Sequence, residues 1–312
     1  MPLLDSLRRL TAGIPHPGVL LERRPPQENV KTEAVWRECE SPACGGIHRK
    51  HGLLAGRHFE GRWMCSEACW SAMLLRRIER ELVAGDSGGV AAHAHRVPIG
   101  LLLLSLGWVT ADELQAALES QRKAGKGRIG DWLRKQTAIT EKEITRALAM
   151  QWNCPVFDLE AYRPQTAEIP RELVETYRIL PLPARNRSAL YLAFDNGIDS
   201  IASYAVRHMT GVPIESGVAP ESAFENAWRR ALPLQTRAAA VVPVETTAEL
   251  HAAVTSTLEG QEVGDARLTR FHQYIWLRTL GVTQVLRKDM QSGKVNAADY
   301  LYRLPSQTPN PQ

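Results

Sequence analysis

The 312-residue chain has no long apolar run, no excess of charge and few aromatics. The apolar run 99–106 is far short of the ~20 residues that cross a bilayer, so no membrane insertion is expected. The first fifteen residues lack an apolar core leading to a small-residue cleavage site, which points to a cytoplasmic protein. The net charge of +4 is mild. It argues against a binder of duplex nucleic acid, which presents a concentrated basic face. Catalytic signatures are missing too. There is no Gly-x-x-x-x-Gly-Lys-[Ser/Thr], no Gly-x-Ser-x-Gly and no His-Glu-x-x-His. Gly125-Lys126-Gly127 and Gly293-Lys294-Val295 lack both the first glycine and the hydroxyl that a phosphate loop needs. No enzyme is expected.

Cysteine is scarce, with five in all, yet four fall in one short stretch. Cys39-x4-Cys44 and Cys65-x3-Cys69 are two short pairs with twenty residues between them. Two turns that each present two thiolates suit tetrahedral zinc. With all four positions filled by protein, such a site is structural. Cys69 falls in the first turn of an expected helix over 66–82, where the helix dipole favours a thiolate. His48, His51 and His58 lie between the pairs and read as a polar loop. The run Trp63-Met64-Cys65-Ser66-Glu67-Ala68-Cys69 resembles the second knuckle of treble-clef-like zinc fingers. Cys154 stands alone before Pro155 as a buried apolar residue.

What the chain does have is a segment that occurs twice, thirty residues apart. Ile99-Gly100 returns as Ile129-Gly130, Leu103 as Leu133, and Val109-Thr110 as Ile139-Thr140. Glu113, Ala117, Leu118 and Gln121 return as Glu143, Ala147, Leu148 and Gln151. A fixed offset marks a duplicated supersecondary unit. In each copy Thr-x-x-Glu is a capping box, followed by apolar spacing of helical period. Each unit therefore reads as a short helix, a turn and a longer capped helix.

The expected organisation is a weakly ordered leader over 1–34, a four-cysteine zinc module over 35–82, a linker over 83–96 and a tandem helical half over 97–157. An α/β half over 158–232, a linker over 233–262 with a helix near 247–258, a C-terminal segment over 263–304 and a disordered tail over 305–312 complete it. Within the α/β half, strands are expected over 177–183, 189–194 and 212–218, around a turn at 185–188. Helices are expected over 198–209, stopping at Gly211, and over 220–231. The fold class is α+β.

The two repeats resemble the amino-terminal domain of type II secretion and type IV pilus assembly ATPases. So do the exit Asn153-Cys154-Pro155-Val156-Phe157-Asp158-Leu159 and the stretches Leu180-Pro181-Leu182 and Ala193-Phe194-Asp195-Asn196. In the MshEN branch of that family the tandem motif binds cyclic di-GMP. The resemblance therefore implies that ligand, contacted by Ile99, Gly100, Leu103, Gly107 and Gln121 in the first copy and by Arg128, Ile129, Gly130, Leu133 and Gln151 in the second. An arginine before Ile-Gly stacks on guanine or bonds to it, and the leucines pack on base and ribose. The first copy departs from the pattern at Pro98, where the arginine belongs, with Arg96 two residues away. The second departs at Thr137, where the family has glycine. The resemblance also implies docking on a secretion or pilus assembly component. Two alternatives stand beside the sensor: a docking scaffold with no nucleotide, and a nucleic-acid-associated zinc finger using Arg49, Lys50, Arg57 and Arg62. The run 266–280 vaguely resembles the segment that follows this domain in the ATPases, as a degraded remnant or a separate docking element.

Overall fold

The computed structural model describes residues 35–50, 57–91, 96–160, 169–183, 189–234, 237–259, 263–281 and 297–305. The expected leader, the turn at 185–188, His51 and the tail from 306 lie outside these residues. The chain mixes helix and sheet, as the composition of its segments implies.

The cysteine stretch opens with strands β1 (Val35–Glu38) and β2 (Ile47–Lys50), antiparallel, with the first cysteine pair in the turn between them. A second hairpin follows, β3 (Arg57–Phe59) and β4 (Arg62–Met64). Helix α1 (Glu67–Ala91) then begins beside the second cysteine pair. The stretch expected to be a linker after residue 82 continues this helix through Gly85, Gly88 and Gly89. Glycine lowers helix propensity by only about 1 kcal/mol per residue, a weak prior.

Four helices come next: α2 (Ile99–Ser105), α3 (Ala111–Ala124), α4 (Ile129–Gln136) and α5 (Glu141–Trp152). Both capping boxes form. The Thr110 and Thr140 side chains accept from the Glu113 and Glu143 N–H, and each glutamate accepts in return from its threonine's N–H at 2.7 Å. Leu103, Val109, Leu114, Ala117, Leu133, Ile139 and Ala147 close a core among these helices.

The α/β half holds a three-stranded sheet in the order β5 (Leu180–Pro183), β6 (Leu190–Phe194), β7 (Ile214–Val218), with β5 antiparallel and β7 parallel to β6. Helix α6 (Arg171–Thr176), which the sequence does not announce, precedes this sheet, and the strand expected from residue 177 begins only at Leu180. Helix α7 (Ser200–Thr210) is capped by Asp199, which accepts from the Ala202 N–H at 2.9 Å, and ends at Gly211 with φ +71°. Helix α8 (Glu221–Ala231) covers the other face of the sheet through Phe224 and Ala227.

The expected linker after 233 carries β8 (Ala240–Pro243) and α9 (Thr247–Glu259). Strands β9 (Val263–Phe271), β10 (Tyr274–Gly281) and β11 (Ala297–Arg303) join β8 in a four-stranded sheet of order β8-β11-β10-β9, with β8 parallel to β11 and the other pairs antiparallel. Side chains alternate between its faces. Ala266, Leu268, Ile275, Leu277 and Tyr302 pack with Trp70, Leu74 and Ile78 of α1, Leu250 and Val254 of α9, and Cys39. Phe271, Tyr274, Trp276 and Leu301 pack on Val206 and Met209 of α7 and Leu173 of α6. The sheet is thus a shared floor between the cysteine module and the α/β half.

A buried ion cluster lies on the second face. Asp299 accepts from Arg278 Nε at 2.8 Å and from Trp276 Nε1 at 2.7 Å, and pairs with Arg237. Removing one member of such a group strands a buried charge.

Candidate functional site

Two places gather chemistry. The first is the cysteine cluster. The Sγ atoms of Cys39, Cys44, Cys65 and Cys69 all lie within 4.8 Å of one another. The Cys44–Cys65 and Cys65–Cys69 separations are both 3.7 Å. Zn–S bonds of about 2.3 Å in a tetrahedron put sulfurs about 3.8 Å apart, so the thiols are set for such an ion. Local structure sets them. The Cys44 N–H bonds to the Ser41 carbonyl at 3.0 Å and the Cys39 N–H to the Gly46 carbonyl at 2.9 Å, bending the first pair into one turn. Ser66 Oγ accepts from the Cys69 N–H at 3.2 Å, so Ser66 caps α1 and fixes Cys69 in its first turn. The Ser66 hydrogen bond holds the Cys69 thiol down to about 7, whereas burial and the adjoining thiols push Cys65 up to about 12. His48 Nε2 sits 3.2 Å from Cys44 Sγ, outside the group of four. The cluster packs into the core that includes Trp63 and Trp70.

Of the basic residues that favour nucleic acid, Arg57 is engaged. It pairs with Glu67 at 3.0 Å and lies over the Trp70 ring.

The second place is the region of the duplicated motif. Leu103 and Leu133 are wholly buried, so neither reaches a surface on which a base could lie. Gly100 and Gly130 face the following helix of their own unit. A Cβ on Gly100 would stand 2.8 Å from Leu114 Cδ1, and one on Gly130 would stand 3.2 Å from Ile144 Cγ2. The glycines admit a close helix–helix approach. Ile99 and Ile129 are half-buried against the same core. Gly107 turns the chain with φ +68°, whereas Thr137, the residue thirty on, is extended and bonds its Oγ1 to the Leu133 carbonyl at 2.9 Å. The glutamines are reciprocal. Gln121 Nε2 donates to the Gly127 carbonyl at 2.8 Å, and Gln151 Nε2 donates to the Val97 carbonyl at 2.6 Å. Each thus ties down the loop that leads into the other unit.

Arg128 is the exception. Its side chain is 42% exposed, and Nη2 stands 3.7 Å from both Asp195 and Glu221. That is beyond hydrogen-bond reach. It lines a cleft of about 540 Å³ with Trp152, Arg178, Asp195, Asp199 and His272. Sequence reasoning names Arg128 but not the wall opposite, which comes from the α/β half and the β9–β10 turn. Two residues of that wall, Arg178 and His272, have φ of +49° and +51°. Side chains rarely adopt that conformation. Arg178 reaches Glu225 at 2.9 Å and Asp195 at 3.3 Å. The His272 ring stacks on Tyr177 and bonds Asp199 at 2.5 Å.

Residues 152–238 match the MshEN domain. The match begins at the last residue of α5 and spans the α/β half; the rest of the four-helix region lies before it. A type IV pilus assembly ATPase, PilB of Thermus thermophilus, is 27% identical over 130 residues, 40% of this chain and 14% of that protein. The chain thus spans about a seventh of the curated relative's length. Among solved structures, MshE with cdg is similar at 26% identity, covering 44% of this chain and 99% of that one with a TM-score of 0.38. The N-terminal domain of XpsE is similar at 20% identity, covering 42% and 92% with a TM-score of 0.32. No helix among the described residues is long and apolar enough to cross a membrane.

Proposed function

We propose that this protein is a cytoplasmic regulatory adaptor that works by binding rather than catalysis. Its treble-clef-like module is held by a structural zinc ion on Cys39, Cys44, Cys65 and Cys69. Its four helices are two copies of one unit, joined to the MshEN-matched half to receive cyclic di-GMP and to dock on a secretion or pilus assembly component. When bound, zinc supplies a cross-link between the cysteine turn and α1. Four unbridged thiols suit a reducing compartment.

Arg128 carries the ligand reading. The leucines, glycines and glutamines of the motif serve internal packing and bonding, whereas this guanidinium is half-exposed at a cleft, with two carboxylates at a distance too long to satisfy it. A planar guanidinium matches the paired O6 and N7 acceptors of guanine. Calorimetric titration of the zinc-replete chain with cyclic di-GMP tests this. Saturable binding that Arg128→Ala weakens at least about ten-fold, the equivalent of one charged hydrogen bond, supports a receptor. Flat heats at high micromolar ligand leave the second reading, a docking scaffold without nucleotide. The complete burial of Leu103 and Leu133 favours that one.

A further inference from the structure

The two larger sheets end in the strands β8, β9, β5 and β7. Three of these edges are closed. On β9 the cysteine stretch takes the outer groups: the Glu60 N–H bonds the Ala266 carbonyl at 2.8 Å, Arg77 Nε bonds the Leu268 carbonyl at 3.2 Å, and Glu81 accepts from the Arg270 N–H at 2.7 Å. On their outer sides β5 has Pro181 and Pro183, and β8 has Pro243. Proline offers no N–H to an incoming strand.

The edge of β7 is open. The Leu190 N–H bonds the Pro213 carbonyl and the Ala219 N–H bonds the Phe194 carbonyl, each at 2.9 Å. Alternate residues of a parallel strand face its partner, so Pro213, Glu215 and Gly217 face β6, and Ile214, Ser216 and Val218 face outward. Val218 is already paired. Its N–H bonds the Pro155 carbonyl at 3.0 Å and its carbonyl accepts from the Phe157 N–H at 2.8 Å, so the segment leaving α5 forms a short parallel pairing at the C-terminal end of this edge. The outer backbone groups of Ile214 and Ser216 have no partner among the described residues.

The open stretch begins at a cavity of about 390 Å³ lined by Tyr204, Arg207, His208, Gly211, Val212 and Pro213. Tyr204 is exposed, and its ring stacks parallel to His208. Glu60 pairs with His208 at 3.1 Å and with Arg77 at 3.0 Å, so that carboxylate is engaged. The exposed Arg207 guanidinium has no ion pair or hydrogen bond among the described residues. The cavity thus sets an uncompensated positive charge beside an aromatic surface, and tyrosine and arginine are the residues that anchor protein interfaces.

We propose that the β7 edge at Ile214 and Ser216, with the cavity at its start, is a docking surface that takes an extended acidic segment of a partner protein as an added strand. The backbone of that segment pairs with Ile214 and Ser216 and continues the line that residues 155–157 begin. One of its carboxylates pairs with Arg207, and an apolar neighbour lies on Tyr204. This rests on the docking half of the reading above and makes no use of cyclic di-GMP, whose calorimetric test can fail alone.

The probe is a library of short random peptides displayed on phage, selected against the full zinc-replete chain, with the enriched sequences synthesised and titrated by fluorescence anisotropy. Thermal melts establish that each variant is folded. The enriched peptides are expected to carry Asp or Glu among β-branched or aromatic residues, which favour strands. Ser216→Pro removes an outer N–H at an edge position where proline is tolerated, and should weaken binding about ten-fold, the scale of one hydrogen bond. Ser216→Ala loses only the 2.7 Å contact with Ser203 Oγ and should bind as the parent does. Arg207→Glu should also weaken binding at least about ten-fold, and selection against it should return basic peptides. Failure to enrich any peptide, or binding that neither Ser216→Pro nor Arg207→Glu changes, overturns the proposal and leaves the adaptor reading to another surface. Equal losses with Ser216→Ala and Ser216→Pro also overturn it, since they assign the effect to the Ser203 contact. A dimer in light scattering that Ser216→Pro converts to monomer gives the edge to a second copy of this chain and overturns the acidic partner.

Discussion

Both carboxylate oxygens of Asp265 lie 3.1 Å from the Gly61 N–H, at the tip of the β3–β4 hairpin. Beside this contact the Glu60 N–H bonds the Ala266 carbonyl at 2.8 Å. The cysteine module is thus bonded through its backbone to the edge of the C-terminal sheet. Burial pushes the Asp265 carboxyl up, against the backbone N–H groups that favour its charge. Asp265→Ala strands the Gly61 and Ala266 N–H groups and should cost about 1–3 kcal/mol in urea unfolding. Asp265→Asn keeps an acceptor and removes the buried charge, so it should cost less. If both variants unfold within about 0.5 kcal/mol of the parent, the contact is idle.

Metal should be felt across the molecule. The cysteine cluster shares one core with Leu268, Ile275 and Leu277 of the sheet. We expect one zinc per chain by elemental analysis. Chelation, or Cys39→Ser, should lower the melting transition seen by tryptophan fluorescence as a single step, because structural zinc contributes directly to folding free energy. A full-length protein that melts unchanged after stripping would refute a structural ion.

Local signals are the legible part of this chain. Thr110 with Glu113, Thr140 with Glu143, and Gly211 each specify a helix end within a few residues, and each stands at that end in the structure. The four cysteines are legible too, since their spacing reflects bond geometry. Long-range pairing is not. The register of β8 brings Val241 beside Leu301, sixty residues on, and β8 itself reads only as an Ala/Val-rich stretch. Arg278 and Asp299 carry no sequence mark of burial. Cross-strand register places them opposite each other in the interior. The repeat is plain in the sequence, but nothing in its spacing tells ligand contact from the packing that Leu103, Leu133, Gly100 and Gly130 perform.

The Asp199–His272 bond gives a pH signature. Burial raises the Asp199 carboxyl, but the His272 hydrogen bond and the backbone N–H groups of α7 outweigh it and hold it below the usual carboxylate range. A carboxyl depressed in the folded state contributes stability that is complete above its unfolded value, about 3.9. That contribution fades as pH falls through the lower folded value. His272→Ala should therefore separate from the parent in urea midpoint at neutral pH, and the gap should shrink on acidification toward about pH 3. A gap that does not change with pH would show that the histidine acts by packing on Tyr177 instead.

The reciprocal glutamines should behave alike. Gln121→Ala and Gln151→Ala each remove one bond to a backbone carbonyl, so each should cost about 0.5–1.5 kcal/mol. Comparable losses in denaturant unfolding agree with two equivalent units. A large loss at one and none at the other would assign the bond to a single loop.

The sheet with two occupied faces bears on how the protein is to be handled at the bench. The boundaries that the sequence suggests, near residues 97 and 232, would yield a fragment whose Val206, Met209 and Leu173 lose Phe271, Trp276 and Leu301 and meet solvent instead. A fragment ending before β9 would strip Ala266, Leu268, Ile275 and Leu277 from the core they share with Trp70, Leu74 and Ile78. Each excised piece carries a fresh apolar surface of the kind that drives aggregation. Ligand and metal measurements made on the intact polypeptide are therefore the ones that report on the molecule itself.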